Sequence, residues 1–519
     1  MGIYESAGAS TRDAHRIIIV GSGFSGLGMA IQLKQAGIDD FLVLEKEAGV
    51  GGTWRVNSYP GCACDVQSHL YSFSFEPNPG WSRMFAPQPE IKAYLEHCAE
   101  KYGITPHLRL NTEVRSARWN EDAGLWTIAD AQGIEYRAQV VISGMGGLST
   151  PAYPPLKGIE NFKGKTFHSQ QWDHGYALAG KRVAVIGTGA SAIQFVPKIQ
   201  PEVARLDLYQ RTPPWIMPKP DRAISTLEQT LFARLPAAQT AIRGAIYGAL
   251  ESRAVAFTVE PRLMKLAQKV AEWHIRRQIR SRPLRKLVTP DYTMGCKRVL
   301  ISDDYYPALT QGNVDVIGDG IAEVRAHSIV DSQGVEREVD AIIYGTGFKA
   351  TDPVPRGVVF GRDGQDLFDA WPQGPEAYKG AAVSGFPNLF FLMGPNTGLG
   401  HNSMVYMIES QIAYVIDAIR TMHKRRLRSV EVRADAQQRF NTSLHKRMLR
   451  SIWSVGGCMS WYVHPQSGRN VTLWPGFTWQ FRWLTRRFDA QAYQLRSERP
   501  AAAASRGYRE ADGVPLHSN

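Results

Sequence analysis

Apolar and polar positions alternate between two grammars along this chain. Residues 14–20 end in four consecutive apolar side chains and meet a glycine-rich turn. Apolar spacing of helical period then runs to Leu33, and a second apolar block, 41–44, closes a strand–helix–strand unit. The same order recurs at 182–186, 187–199 and 206–209, so the pattern predicts two nucleotide-binding units. Between them, 114–119, 125–129 and 138–143 read as strands separated by polar turns. Pro151, Pro154 and Pro155 mark a linker. Beyond the second unit, 225–286 is rich in Ala, Leu and Arg with helical spacing, too long for a connection inside a Rossmann unit. Residues 341–348 predict a strand running into a glycine turn, able to rejoin the first unit. A further strand at 389–393 and a helix at 403–421 follow. The expected fold class is α/β, with two Rossmann-like dinucleotide-binding domains and an inserted helical subdomain.

Composition narrows the class. At 519 residues with 44% apolar content, the chain exceeds one ordinary core and predicts a globular protein of two or three domains. No apolar run is long enough for a membrane span, and no signal core opens the chain, so a cytoplasmic location is expected. Met1, Gly2 and Ser6 match the loose myristoylation pattern, which two common residues satisfy by accident. The net charge of +12 suits nucleic acid, an acidic membrane surface or anionic cofactors. Much of it lies in helical segments, 265–286 and 423–433, without the interleaved aromatics of a single-strand groove. Solvated helix faces are the expectation, with no nucleic-acid partner. Five cysteines predict no disulfide framework. Cys62 and Cys64 leave two readings, a redox dithiol or a pair of buried or cofactor-lining thiols, and the second is preferred because C-x-C differs from the thioredoxin-like spacing.

The glycine turns carry the first chemistry. Gly21, Gly23 and Gly26 form G-x-G-x-x-G directly after a strand, and Glu45 ends the next strand. Glycines there let backbone N–H groups approach a pyrophosphate at a helix N-terminus, while Glu45 accepts from ribose hydroxyls. Its carboxylate repels a 2′-phosphate, so this unit suits FAD or NAD. Gly187, Gly189 and Ala192 repeat the turn, but the following strand ends in Gln210, Arg211 and Thr212. A guanidinium at Arg211 fits a 2′-phosphate and points to NADPH. Together the units imply hydride transfer from nicotinamide to flavin, with a disulfide, a quinone or dioxygen as the open destination.

One run narrows that destination. Phe162, Gly164, His168, Trp172 and Asp173 stand between the two turns in the pattern F-x-G-x-x-x-H-x-x-x-W-D. Gly51, Gly52, Trp54, Tyr59, Pro60, Gly61 and Asp65 complete a second pattern. In both, the chain resembles the class B flavoprotein monooxygenases, and Trp172 inclines the likeness toward the type I Baeyer–Villiger monooxygenases. The resemblance spans roughly 16–487 and is weakest over 225–286. It implies FAD bound through Gly21, Gly23, Gly26, Glu45, Thr53, Trp54, Asp65, Tyr71 and Val114, with Met404 near the ring. It implies NADP(H) held by Gly187, Thr188, Gly189, Ala190, Ser191, Ala192, Gln194, Arg211, Thr212 and Lys297. Trp461 matches a mobile-loop tryptophan that touches NADP or substrate, although a core aromatic remains nearly as good a reading.

The resemblance further implies that a C4a-peroxyflavin attacks a ketone carbonyl and that carbon migration yields an ester or lactone. Arg298, in the segment Cys296, Lys297, Arg298, is the implied catalytic cation, oriented by Asp65. A guanidinium beside the flavin would stabilise the anionic oxygens of that reaction as an oxyanion hole does. His168 and Trp172 are expected to hold the hinge between domains rather than transfer protons. Two departures stand out. Gly345, Thr346 and Gly347 replace the usual A-T-G, consistent with close backbone approach to FAD, and 468–479 lacks the loop of the cyclic-ketone enzymes. Linear aliphatic or aryl ketones are the expected substrates, with O₂ as the second one. N- or S-oxygenation, and less so an NADPH-dependent disulfide or quinone reductase using Cys62 and Cys64, are the alternatives. The expected domains are FAD-binding at 1–150 and 340–496, NADP-binding at 151–224 and 287–339, a helical insertion at 225–286 and a mobile tail at 497–519.

Overall fold

The computed structural model describes residues 11–349, 354–458 and 460–497. Met1, Gly2 and Ser6, and the tail from 498 onward, lie outside the described residues. Two parallel cores carry the chain. The first is an eight-stranded sheet in the order Val359–Phe360, Val114–Asn120, Leu125–Asp130, Glu135–Ser143, Thr11–Val20, Phe41–Leu44, Leu108–Arg109, with Leu389–Phe391 also pairing on Glu135–Ser143. Ile17 to Val20 pair in parallel with Phe41 to Leu44 on one side and with Val140 to Ser143 on the other. The helix Phe24–Gln35 covers the face of Ile17 and Ile19, and Trp126, Leu367, Trp371 and Phe386 cover that of Ile18, which is why all three are apolar and fully buried. Val114–Asn120 and Leu125–Asp130 form the antiparallel end of this sheet.

The second core is an all-parallel sheet of five strands, ordered Val314–Ile317, Arg205–Tyr209, Arg182–Ile186, Ala341–Tyr344, Lys165–His168. The placement of Ala341–Tyr344 corrects the sequence expectation. It does not rejoin the first sheet but lies at the heart of the second, between Arg182–Ile186 and Lys165–His168. The second sheet therefore extends past residue 340. Consequently Gly345 lies against Gly187, whose added Cβ would come within 2.6 Å of the Gly345 carbonyl, and not against the first glycine turn.

Between Ile216–Met217 and Leu300–Ile301, which pair with each other, the chain leaves both sheets as helices Thr226–Arg234, Pro236–Ser252, Met264–Gln278 and Arg282–Val288. The first is closed by a capping box of Ser225 and Glu228. No described helix is long and apolar enough to cross a membrane.

Candidate active site

The first glycine turn joins Thr11–Val20 to the helix Phe24–Gln35, with Gly23 as its N-cap. Gly21 adopts φ +96°, and a Cβ on it would come 3.1 Å from the Gly144 carbonyl, so the turn accepts only glycine there. Glu45, 4% exposed, lies under this turn. One carboxylate oxygen accepts from the Ser22 N–H and the Ser22 hydroxyl, both at 2.7 Å, and the other from the Glu47 N–H at 2.9 Å. Thr53 and Trp54 open the short helix Thr53–Val56, and the Trp54 indole donates to the Tyr71 hydroxyl at 3.2 Å. Val114 begins its strand, and Met404 begins the long helix Met404–Lys424.

The second turn leads into the helix Ala192–Ile199 behind Ser191, and the Thr188 hydroxyl donates to the Thr212 carbonyl at 3.3 Å. Arg211, exposed, stands close enough to Lys297 for the two like charges to interact. Burial, and then the Arg211 charge, hold the Lys297 ammonium below its ordinary pKa, and the ammonium rests 4.9 Å from the Tyr292 ring centre. Neither cation has an ion-pair partner within 4.0 Å among the described residues.

The two units are clamped by Gln194. Its side-chain carbonyl accepts from the Tyr59 hydroxyl at 3.0 Å and from the Ala63 N–H at 3.3 Å, while its amide donates to the Ala63 carbonyl at 3.0 Å. Gly61 has φ +80°, and a Cβ on it would come within 2.6 Å of the Gln194 backbone carbonyl, which accounts for the glycine of the Tyr59, Pro60, Gly61 turn. Beyond this turn lies Asp65. One of its oxygens accepts from Arg298 Nε at 2.9 Å and also from Nη2. The pair is half-buried, with side chains 36% and 28% exposed, and the Asp65 charge holds the guanidinium firmly protonated. No hydrogen bond engages Arg298 Nη1 among the described residues. A cleft of about 790 Å³ opens beside the clamp, lined by Tyr59, Cys62, Gln194, Lys198 and Asp303, but neither Arg298 nor Arg211 reaches it.

Residues 18–260 match the family described as pyridine nucleotide-disulphide oxidoreductase. A Baeyer–Villiger monooxygenase of Pseudomonas aeruginosa is 65% identical over 96% of this chain and 95% of its own. The chain belongs to the Baeyer–Villiger monooxygenases. A second such enzyme, from Streptomyces coelicolor, is 49% identical over 95% of this chain and 94% of its own. Among solved structures, OTEMO in complex with FAD and NADP superposes with a TM-score of 0.83 at 26% identity, covering 93% of this chain and all of that one.

In this Baeyer–Villiger monooxygenase the fingerprint run packs at the edge of the second sheet. His168 ends the strand Lys165–His168 with its ring fully buried; Nδ1 accepts from the Gln170 N–H at 3.1 Å, and burial lowers its pKa although the Gly347 backbone pulls the other way. Trp172 leans on Phe167 and Phe195 at 5.1 and 5.3 Å, and Asp173 pairs with Lys165. These contacts all lie within the second unit.

The cysteines divide differently from the expectation. Cys296 and Cys458, 162 residues apart, are joined in a disulfide. The bridge sits immediately before Lys297 and Arg298 and three residues before Trp461, so it ties residues 456–458 to the segment that carries Arg298. It also brings in a residue that sequence reasoning missed. Tyr462, 1% exposed, has its hydroxyl beside Arg298 and Asp65; burial pushes its pKa up to about 12 even though Arg298 pulls the other way. The only sequence signal was its position next to Trp461, which is 44% exposed with its ring 4.4 Å from that of Tyr462.

Cys62 and Cys64 are free, buried thiols. Burial pushes the Cys62 thiol up to about 12, and burial together with the Asp65 charge raises Cys64 well above its ordinary value. Redox dithiols need the opposite shift, because the thiolate is the nucleophile. Replacing both by alanine is expected to leave substrate-dependent NADPH oxidation within a few fold of the parent. Abolished turnover in a folded, flavin-loaded variant would restore the dithiol reading.

Proposed function

We propose that this monooxygenase uses NADPH and FAD to insert one atom of O₂ beside a ketone carbonyl, giving an ester or lactone, with linear aliphatic or aryl ketones as its substrates. The observation that carries the reading is Arg298, a permanently charged guanidinium held by Asp65 through Nε and Nη2 in a half-open site, with Nη1 outside that pairing.

The residues fit both cofactors. The first glycine turn packs too closely at Gly21 and Gly26 for any Cβ, as a turn that brings backbone N–H groups to a pyrophosphate does, and Glu45 lies beneath it with acceptor oxygens for ribose. Gly21, Gly23, Gly26 and Glu45 would hold the nucleotide end of FAD; Thr53, Trp54, Asp65, Tyr71, Val114 and Met404 would border the rest. Gly187, Thr188, Gly189, Ala190, Ser191 and Ala192 would cradle NADPH, with Arg211, Thr212 and Lys297 at its 2′-phosphate and Trp461 over it. Gln194, already committed to Tyr59 and Ala63, would shape the cofactor's seat by clamping the domains. Bound FAD supplies two-electron storage and activation of O₂.

The chain's own contribution is electrostatic. Oxygen transfer to a carbonyl places negative charge on oxygen, and Arg298 Nη1 offers a charge-assisted donor to it. Asp65 fixes the guanidinium plane. Tyr462, neutral across physiological pH, closes the site behind Arg298 without adding a competing anion.

The test is incubation of the protein with FAD, NADPH and O₂ and, separately, a long-chain methyl ketone, phenylacetone, a thioether and a tertiary amine, with products identified by mass spectrometry. Ester from either ketone is expected. Sulfoxide or N-oxide alone would replace ketone oxygenation with oxygenation of soft nucleophiles, and NADPH oxidation without any oxygenated product would overturn both.

A further inference from the structure

The helical insertion shows an apolar stripe to solvent. Along the helix Met264–Gln278, Met264, Ala271, His274 and Ile275 face inward and are buried. Leu266 (62% exposed), Val270 (43%) and Trp273 (49%) lie on the opposite side at helical spacing, continuous with Val259 (61%) and Leu263 (42%) just before the helix. An exposed apolar run of this kind is uncommon on a surface without a partner.

Charge adjoins it. At 100° per residue, Lys265, Lys269 and Arg276 form a row beside the apolar stripe, with Arg277 within it and its guanidinium 5.2 Å from the Trp273 ring centre. Segment 260–286 holds nine Lys or Arg against two Glu, a net +7 of the chain's +12. Of the two acids, Glu272 lies at the far edge of the row, 3.6 Å from Arg276. The solvated-face reading accounts for the cations but leaves the apolar residues between them without a role.

We propose that this face docks the enzyme on an anionic lipid surface, with Leu263, Leu266, Val270 and Trp273 entering the headgroup region and Lys265, Lys269, Arg276 and Arg277 meeting lipid phosphates. An interfacial helix has this composition, apolar and tryptophan side chains flanked by cations on a helix too polar to span a membrane. A second copy meeting this face would bring one cationic row against another. Nucleic acid would satisfy the cations and leave the stripe unused. The proposal is independent of the substrate reading, because none of these residues belongs to the site at Arg298 or Arg211.

Co-sedimentation of the FAD-loaded enzyme with vesicles tests it, one set containing phosphatidylglycerol and phosphatidylcholine, the other phosphatidylcholine alone. Binding to the first set is expected, falling as salt rises. Each surface cation contributes roughly fivefold to such partitioning, so Lys265→Glu with Lys269→Glu should lower binding by tenfold or more. Trp273→Ser with Leu266→Ser, at unchanged charge, should also lower it, and turnover of a water-soluble ketone by all variants should match the parent. Equal binding to both vesicle sets, no binding to either, or parent-like binding by both variants would overturn the proposal. So would a dimer, seen by sedimentation velocity, that the same substitutions split while vesicle binding is absent.

Discussion

Replacing Arg298 with alanine is expected to leave reduction of the flavin by NADPH measurable while ester formation falls by about 10²–10³-fold or more, the loss that follows removal of one oxyanion donor. In the proposed reading, reduction requires hydride alignment, assigned to the glycine turns and the Gln194 clamp. Oxygen transfer requires a cation at the reacting oxygen, the role proposed for Arg298. The two half-reactions should therefore separate, and NADPH oxidation in the variant should yield hydrogen peroxide in place of ester. Stopped-flow reduction and product yield, measured on the same preparation, read both halves. Parent-like ester yield would remove Arg298 from the mechanism. Arg298→Lys is the sharper comparison: it keeps the charge but loses the fork through which Asp65 holds the side chain, so most of the loss should remain.

Arg211→Ala should raise the KM for NADPH far more than that for NADH. A hydrogen bond to a charged group is worth about 1.5–3 kcal/mol, roughly a 10- to 150-fold difference between the two cofactors. Equal effects on both would place the 2′-phosphate elsewhere. The neighbouring ammonium adds a pH signature. Lys297 titrates below the ordinary lysine value because of burial and the Arg211 charge, so its phosphate-binding form is complete at low pH and is lost as pH rises through that lowered pKa. NADPH affinity in the parent should accordingly weaken with rising pH earlier than an exposed lysine would allow. In Arg211→Ala one cause of the depression is gone, and the alkaline limb should move upward even though overall affinity is lower. A limb that stays in place would show that Lys297 is not part of the phosphate site.

Local spacing made much of this protein readable before its structure. The strand–turn–helix units at Gly21 and Gly187, the acid at Glu45, the cation at Arg211 and the helical character of 225–286 all rest on residues a few positions apart, where backbone geometry and period act directly. Arg298 and Asp65 were recognisable by motif, yet they are 233 residues apart, and the carboxylate oxygen they share exists only in the folded chain.

Tertiary structure decided what local pattern leaves degenerate. Ala341–Tyr344 is apolar at each of its positions, as any central parallel strand is, so nothing in it names its neighbours; pairing alone assigned it to the second sheet. Cys296 and Cys458 carry no mark of each other across 162 residues, and their bridge brought Tyr462 to the arginine. On the helix Met264–Gln278, two stripes are apolar enough to be buried, and periodicity cannot say which one faces inward. Packing buried the stripe of Met264, Ala271 and Ile275 and turned the one with Leu266, Val270 and Trp273 toward solvent. The sequence by itself determined the elements and their chemistry, because those depend on neighbours in the chain. Partners, registers and faces depend on contacts between distant segments, and only the tertiary structure decided them.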